Sequence, residues 1–407
     1  MALRSHDTSK VYLLLTLCNT LAASLIWGIN TLFLLDAGLS NLEAFSANAF
    51  FTLGQVIFEI PTGIVADTVG RRASYLLGTC TLAVSTLLYF FAWQMQLPFW
   101  SWAVTSILLG LGFTFFSGAT EAWLVDSLAF TKNKSSLEEV MAKGQMVGGG
   151  AMLVGSVLGG VIAQHTNLGV PYILRAIILI INFAVAFFLM KDLGFTPKKS
   201  QRWLADVKDT FATSLKYGWG NPSVRWVMLA APFTSGVGFY VFYAMQPHLL
   251  NLYGNSEAYG IAGLAAAIIA GAQILGGMAV PYVRKLLPNR LSVLLANGVL
   301  GVILLLTLSV VSHFWLAIGL FILWGLLFAA VLPVRQAYLN NLIPSQQRAT
   351  VLSFDSLVGS SGGIVIQPVL GKVADVWSYP LSYAGGALFQ LLAIPFILLA
   401  KKERSKP

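Results

Sequence analysis

Apolar runs of about 20 residues or more recur along the whole chain, and they limit its possible folds more than any other feature. A helix needs about 20 apolar residues to cross the roughly 30 Å hydrocarbon core of a bilayer. Such runs predict helices at 11–35, 42–66, 73–94, 99–128, 140–164, 171–190, 224–251, 258–282, 290–312, 315–340, 351–376 and 380–400. Charged residues are 10% of the chain, against about 25% in soluble domains. The sequence therefore predicts an all-α integral membrane protein with twelve transmembrane helices.

The basic residues occupy alternate loops. A net charge of +9 would also suit a nucleic-acid partner, so the placement of the charges decides the matter. Lysine and arginine cluster in every second loop and at both ends, while the intervening loops near 36–43, 94–98, 165–170, 250–258, 312–314 and 376–380 contain neither. This is the positive-inside pattern. It predicts a multi-pass protein of the inner or plasma membrane with cytoplasmic termini, whose partner is the lipid bilayer and not nucleic acid.

The first run, Val11 to Leu35, has a second interpretation as a cleaved signal peptide. It is longer than the apolar part of a signal peptide, about 7–15 residues, and its removal would invert the charge pattern downstream. We therefore interpret it as a membrane helix. Cys18 and Cys80 lie inside predicted helices as small apolar side chains, and they indicate neither a disulfide nor a metal site.

A polar stretch at 191–223 separates two halves, 1–190 and 224–407. The two halves resemble each other. Glu121-Ala-Trp-Leu-Val-Asp126 is echoed by Gln336-Ala-Tyr-Leu-Asn-Asn341, and two further short matches keep the same order and nearly the same offset. An internal repeat explains this pattern and predicts two pseudo-symmetric six-helix bundles.

The polar stretch is predicted to be a cytoplasmic linker between the two bundles. Its Trp203, Phe211 and Leu215 are spaced to form a short amphipathic helix along the inner membrane surface.

The most specific motif is Gly63-Ile-Val-Ala-Asp67-Thr-Val-Gly70-Arg71-Arg72, between predicted helices 2 and 3. It resembles the loop 2–3 signature of the major facilitator superfamily, which is Gly, three residues, Asp, two residues, Gly and two basic residues. Every fixed position is matched. A glycine at 63 lets a neighbouring helix approach, and a glycine at 70 supplies the positive φ of a tight turn.

Charges near this motif predict a cytoplasmic latch. Arg71 and Arg72 can bridge to an acid at a helix end, and Asp126, at the inner end of predicted helix 4, is the available acid. We expect Asp67, Arg71 and Asp126 to hold the inner side closed. In the alternative interpretation the arginines only anchor the topology and Asp126 is solvated.

The run Gly155-Ser-Val-Leu-Gly159-Gly160 partly resembles a helix 5 motif of antiporters in the same superfamily, with Ser156 in place of proline. The resemblance favours export. Ordinary glycine-mediated helix packing is the alternative explanation.

Ionisable groups at membrane depth are functional candidates because burying them is costly. The proton-coupling candidates are Glu121, Glu59 and Asp355, and ion pairing is the alternative role for each of them. Asp355 is a plausible partner for Arg335. Lys372 and Asp375 are spaced to pair with each other, and Arg175 is expected to reach the interface.

The resemblance to the superfamily implies that helices 1, 4, 7 and 10 line a central cavity. An aromatic run with polar groups in predicted helix 7 suits a pocket for an amphipathic molecule, although interfacial aromatics explain it equally. The candidate cavity residues are Trp27, Asn30, Phe116, Glu121, Tyr240, Tyr243, Gln246, Trp324 and Arg335.

The sequence thus predicts a secondary transporter working by alternating access, with proton-coupled export of a hydrophobic or amphipathic small molecule. The alternatives are proton-coupled uptake of a small polar solute, and a receptor or scaffold that no longer transports. We expect no enzyme activity, no metal and no cofactor, since the proton gradient supplies the energy. We also expect a monomer, as the family resemblance implies.

Overall fold

The computed structural model describes residues 5–131, 136–197, 218–344 and 348–404, and these ranges are almost entirely helical. The helices are α1 (Ser5–Trp27), α2 (Asn30–Asp36), α3 (Asn41–Thr68), α4 (Arg71–Gln94), α5 (Phe99–Thr114), α6 (Ala119–Thr131), α7 (Leu137–His165), α8 (Val170–Leu189), α9 (Pro222–Tyr253), α10 (Tyr259–Leu286), α11 (Arg290–Leu308), α12 (Phe314–Asn340), α13 (Arg348–Val376), α14 (Tyr379–Leu391) and α15 (Ala393–Arg404).

Twelve segments within the described ranges are long and apolar enough to cross a membrane. They follow the predicted runs in order, and their ends lie close to the predicted ends, except that the first span ends at Trp27 and not at Leu35. The prediction of an all-α protein with twelve transmembrane helices is confirmed.

Three of the predicted helices are interrupted. Residues 28–29 separate α1 from α2, residues 115–118 separate α5 from α6, and Leu392 separates α14 from α15. The sequence does not signal these breaks because apolar residues continue through or beside them. At the first break a helix from elsewhere in the chain passes close by, since a Cβ on Gly28 would lie 2.9 Å from the Cβ of Ala266.

Several helices begin with a side-chain cap. The Ser136 hydroxyl accepts from the Glu139 N–H at 3.1 Å, and Asn221, Asn289 and Ser378 cap α9, α11 and α14 in the same way. Such caps satisfy N–H groups that have no partner inside the helix. They fix where the chain leaves a loop and enters the membrane.

The chain forms two compact units. The first contains Met1–Ala37, Leu53–Trp203 and Glu257–Ala267, and the second contains Gly38–Thr52, Leu204–Ser256 and Ile268–Pro407. Each unit therefore includes one short segment from the opposite half of the sequence. The amphipathic helix predicted around Trp203, Phe211 and Leu215 lies outside the described residues.

An aromatic cluster packs inside the first unit around Phe33, which is fully buried. Its ring lies 3.9 Å from that of Tyr172, 5.6 Å from that of Trp93 and 5.9 Å from that of Trp102. The core of the second unit includes Val224, Met228, Leu291, Tyr338, Leu339 and Ile397. Both cores consist of side chains that face other helices instead of lipid.

The prediction that Arg175 reaches the interface is wrong. The residue is 3% exposed, its Nε donates to Thr86 Oγ1 at 3.0 Å, and its guanidinium lies 5.8 Å from the Phe113 ring. A buried hydroxyl and an aromatic face replace the interfacial water that the sequence pattern suggested.

Candidate functional site

The interruption between α5 and α6 creates an irregular segment in the middle of a membrane span. Gly118 has φ +66°, a left-handed conformation that glycine adopts without steric cost. The Ser117 hydroxyl donates to Glu59 Oε1 of α3 at 2.5 Å. Non-helical backbone at membrane depth is tolerated where it lines a cavity or is buried in protein. The break therefore marks a place where the span opens toward a polar space.

A cavity of about 550 Å³ lies beside this break, within the first unit. It is lined by Tyr12, Leu15, Thr16, Asn19, Thr20, Tyr75, Phe113, Phe116, Ser117, Gly118, Thr120 and Glu121. Glu121 is in the first turn of α6, where the helix dipole favours a negative charge. Among the described residues, no cation forms an ion pair with it. The cavity combines one free carboxylate, aromatic faces and neutral polar groups.

A second cavity, of about 240 Å³, lies within the second unit. Its lining includes Phe239, Asn297, Trp324, Phe328, Arg335, Asp355 and Gln390. Arg335 Nη1 and Nη2 donate to the two carboxylate oxygens of Asp355 at 2.6 and 2.5 Å. The predicted pairing of these two residues is confirmed. Because Asp355 is only 3% exposed, the pair is a buried, two-bonded ion pair in which the two charges cancel.

Four of the predicted cavity residues line one of the two cavities, and five line neither. Phe116 and Glu121 line the first cavity, and Trp324 and Arg335 line the second. The others lie outside both cavities, and their role in binding substrate stays a prediction. They are Trp27, Asn30, Tyr240, Tyr243 and Gln246.

Two of the five residues outside both cavities, Tyr240 and Gln246, are buried in contacts between helices. The side chain of Tyr240 is fully buried and its hydroxyl is 2.5 Å from Ser382 Oγ, and Gln246 is fully buried as well. The aromatic run of predicted helix 7 thus supplies core contacts in this structure. Asn30 accepts a hydrogen bond from the Tyr172 hydroxyl at 2.9 Å.

At the loop motif, Asp67 and Arg71 form an ion pair of 2.5 Å across one turn, between the end of α3 and the start of α4. Asp126 forms no ion pair with any described residue, so its part in the predicted latch remains a prediction. Instead, Asp192 Oδ1 accepts from the Arg72 N–H at 2.8 Å, and so caps α4. Arg72 itself donates to the Phe187 carbonyl at 2.5 Å.

Asp192 is a residue that sequence reasoning missed. Burial raises the pKa of its carboxyl, against the opposing effect of the Arg72 N–H and the two arginines. It follows the last apolar residues of α8 and lies at the start of the predicted linker 191–223. Its position two residues beyond the predicted helix 171–190, on the predicted basic side, was the available signal.

The two motif glycines differ. Gly70 has φ +138°, and a Cβ there would lie 2.4 Å from Asp192 Oδ2, so this position requires glycine. A Cβ on Gly63 would meet no described atom within 4 Å. The expected close approach of a helix at Gly63 is therefore absent from the described part of the chain.

The bond between Ser117 and Glu59 leads to a prediction about stability. Ser117→Ala removes the donor to a charged acceptor, and we expect it to lower the free energy of unfolding by about 1–2 kcal/mol. Thermal unfolding in detergent, followed by tryptophan fluorescence, measures the change. Ser309→Ala is the matched control, because the Ser309 hydroxyl, directly after α11, bonds only to the Leu306 carbonyl within the described part of the chain. If the two variants unfolded at the same temperature, the hydrogen bond between Ser117 and Glu59 would not stabilise the protein.

Comparisons with known proteins identify the family. The sequence profile described as Major Facilitator Superfamily matches residues 12–366. The uncharacterized MFS-type transporter YxaM of Bacillus subtilis is 22% identical over 386 residues, covering 93% of this chain and 92% of that protein. The multidrug resistance protein MdtG of Salmonella arizonae is 26% identical over 342 residues, covering 81% and 77%.

Solved structures agree on the fold. A mutant of the nucleoside transporter NupG superposes with a TM-score of 0.81 at 12% identity, covering 97% of this chain and 99% of that one. A bacterial homologue of the human lysosomal transporter Spinster gives 0.75 at 14% identity, covering 98% and 97%. With its profile match, its transporter relatives and its twelve membrane helices, the chain belongs to the Major Facilitator Superfamily.

Proposed function

We propose that this transporter exports amphipathic small molecules, with a preference for positively charged ones, in exchange for protons. The observation that carries the proposal is the charge of the two cavities. Glu121, Arg335 and Asp355 are the carboxylates and basic side chains that line them. Arg335 and Asp355 neutralise each other, so one negative charge remains, at Glu121.

The neighbours of Glu121 suit an amphipathic cation. Phe113, Phe116 and Tyr12 line the same cavity, and aromatic faces attract cations as well as apolar groups. Arg175 lies against the Phe113 ring but is not part of the cavity lining. A substrate with a cationic centre and a flat or branched apolar body would satisfy both kinds of contact.

The same groups support the proposal of proton coupling. A carboxylate that binds either a proton or a cation couples the two, because each occupant excludes the other. Glu121 is the direct candidate. Glu59 accepts a hydrogen bond from Ser117 at the break, and Asp355 forms an ion pair with Arg335. Protonation of either carboxylate would change a contact between helices.

Export is supported by the relatives. MdtG is named a multidrug resistance protein, and it is similar along most of this chain. The glycine run at 155–160 partly matches the antiporter motif.

The test uses two probes of the same shape and opposite charge, tetraphenylphosphonium and tetraphenylborate. In proteoliposomes with an imposed proton gradient, we expect accumulation driven by the gradient for the cation and little for the anion, and a substrate-dependent pH change. Equilibrium binding of the same probes to purified protein in detergent separates recognition from coupling. Preference for the anion, or flux that ignores the proton gradient, would contradict the proposal.

Uptake of a small polar solute is a second candidate. Thr16, Asn19, Thr20 and Ser117 give the first cavity several neutral hydrogen-bonding groups, which would suit a sugar or nucleoside. Proton-driven uptake of such a solute, without flux of the phosphonium cation, would favour this function. Absence of any gradient-driven flux over a broad panel would favour a receptor.

A further inference from the structure

The second cavity lies entirely within the second unit. Helices α9, α11, α12, α13 and α14 line it, and every residue of its lining belongs to that unit. Its volume of about 240 Å³ is below the roughly 300–1,000 Å³ of pockets that hold drug-sized ligands. The cavity therefore suits a small occupant, such as a single ring with a short substituent.

The charged groups of this lining neutralise each other. Arg335 and Asp355 are its charged residues, and both carboxylate oxygens of Asp355 accept hydrogen bonds from the guanidinium. An ion that entered the cavity would lose its hydration and find no unpaired charge of opposite sign. The cavity therefore favours an uncharged occupant.

Two side-chain amides line the cavity from different helices. Asn297 lies on α11 and Gln390 on α14. Gly301 is one turn after Asn297, and a Cβ there would lie 2.0 Å from Gln390 Nε2. Glycine at 301 thus makes room for the second amide, and both amides lie against the same face of α11.

The amide of Asn297 has a hydrogen-bonding group that the described protein leaves unused. Its Oδ1 is buried and accepts no hydrogen bond from any described residue. A buried acceptor without a donor is destabilising. A bound molecule that donates an N–H to this oxygen would remove the cost, and a carbonyl on the same molecule would be placed to accept from Gln390 Nε2.

The apolar part of the lining is aromatic. Trp324 and Phe328 are one turn apart on α12, and their rings are stacked at 5.2 Å with an interplanar angle of 24°. Phe239 of α9 belongs to the same lining. A Cβ on Gly238 would lie 2.4 Å from Phe328 Cε2, so glycine at 238 lets this ring reach α9. Flat aromatic faces of this kind suit a planar ligand.

We propose that the second cavity is a binding site for small, uncharged aromatic carboxamides. The ring of the ligand packs against Trp324 and Phe328. Its amide N–H donates to Asn297 Oδ1, and its carbonyl accepts from Gln390 Nε2. The site differs from the Glu121 cavity in its unit and in the charge of its ligand, so it does not rest on the proposed export of cations.

Three probes of one shape test the preference for a neutral ligand. Benzamide is uncharged, benzoate is an anion and benzamidine is a cation at neutral pH. Equilibrium dialysis of each radiolabelled probe against purified Glu121→Gln protein in detergent measures binding, with detergent alone as the background. The Glu121→Gln change removes the charge of the first cavity, which would otherwise attract benzamidine.

We expect benzamide to bind at least about 10-fold more tightly than either ion, because each ion must be desolvated without a partner. Equal or tighter binding of benzoate or benzamidine would overturn the proposal. Absence of measurable benzamide binding would overturn it as well.

Asn297→Leu places the bound probe in the second cavity. It removes the acceptor, and we expect it to weaken benzamide binding about 5- to 100-fold, the range that loss of one partnered hydrogen bond implies. Asn251→Leu is the matched control, because Asn251 is exposed and lines neither cavity. Equal benzamide affinity of the two variants would contradict the site.

Gly301→Ala decides the matter if Asn297→Leu does not fold. Its added methyl group displaces the Gln390 amide, so we expect weaker benzamide binding although both amides remain. Gly298→Ala on the same helix is the control, since its Cβ would lie 3.5 Å from Ile394 Cγ1, an ordinary contact. Cooperative thermal unfolding verifies that each variant is folded. Unchanged affinity in a folded Gly301→Ala protein would overturn the proposal. No proton gradient or flux is measured, so failure of the export function would leave this result unaffected.

Discussion

Glu121→Gln is expected to weaken binding of tetraphenylphosphonium about 10- to 100-fold and to abolish its exchange for protons. The change keeps the shape of the side chain but removes the one charge of the first cavity that no described cation balances. A charge-assisted contact contributes about 1.5–3 kcal/mol, which corresponds to that range of affinity. Isothermal titration of purified protein measures binding, and the proteoliposome assay measures exchange.

The control for this prediction is Glu138→Gln. Glu138 is also an acid in the first turn of a helix, α7, but it is exposed and lines neither cavity. Its variant should bind and exchange like the parent. If Glu121→Gln retained charge preference between the two tetraphenyl probes, the substrate-binding charge would have to lie elsewhere.

Arg335→Met is expected to produce the largest loss of stability, about 3–5 kcal/mol, because it leaves the buried Asp355 carboxylate without its partner. Asp355→Leu should lower the stability by a similar amount, because it leaves the Arg335 guanidinium without its partner. The double variant should recover much of the loss, since two apolar side chains of similar volume need no desolvation of charge. Thermal unfolding in detergent measures all three variants.

An exposed ion pair elsewhere in the chain serves as the control for the buried one. Lys143 and Glu139 form an ion pair of 2.7 Å, but their side chains are 56% and 51% exposed. Lys143→Met should therefore cost no more than about 0.5 kcal/mol. A double variant at 335 and 355 that was as unstable as the sum of the single ones would show that the two charges do not act as a pair. Transport by the stable double variant then tells whether Asp355 also carries a proton.

Helix number and order could be predicted because each membrane crossing requires a long apolar run, which nothing else in a sequence imitates. The break at residues 115–118 could not, since Phe115 and Phe116 continue the apolar pattern and only Gly118 hints at a turn. The break is accompanied by tertiary features that the sequence does not show, namely the bond from Ser117 to Glu59 and the cavity beside it.

Within the candidate site, the ion pairs between residues close in the sequence could be predicted. Asp67 with Arg71, and Arg335 with Asp355, are partners that spacing or a short loop brings together. Asp192 could not be predicted because its carboxylate accepts from the backbone N–H of Arg72, in another helix. Asp375 was expected to pair with Lys372, but it accepts from the backbone N–H groups of Asn41 and Leu42. A sequence marks the acid or amide at a helix end but not the helix that it will cap.

The length of α3 has a mechanical consequence. One continuous helix of 28 residues carries Asn41 at one end, Asp67 at the other and Glu59 between them. Such a helix is about 42 Å long and resists compression along its axis. A displacement at one end of α3 would therefore reach the other end, and Pro61, which removes a backbone hydrogen bond near Glu59, is the point where the helix can bend. The Asn41 end, the Glu59 contact and the loop motif at Asp67 thus belong to one continuous helix.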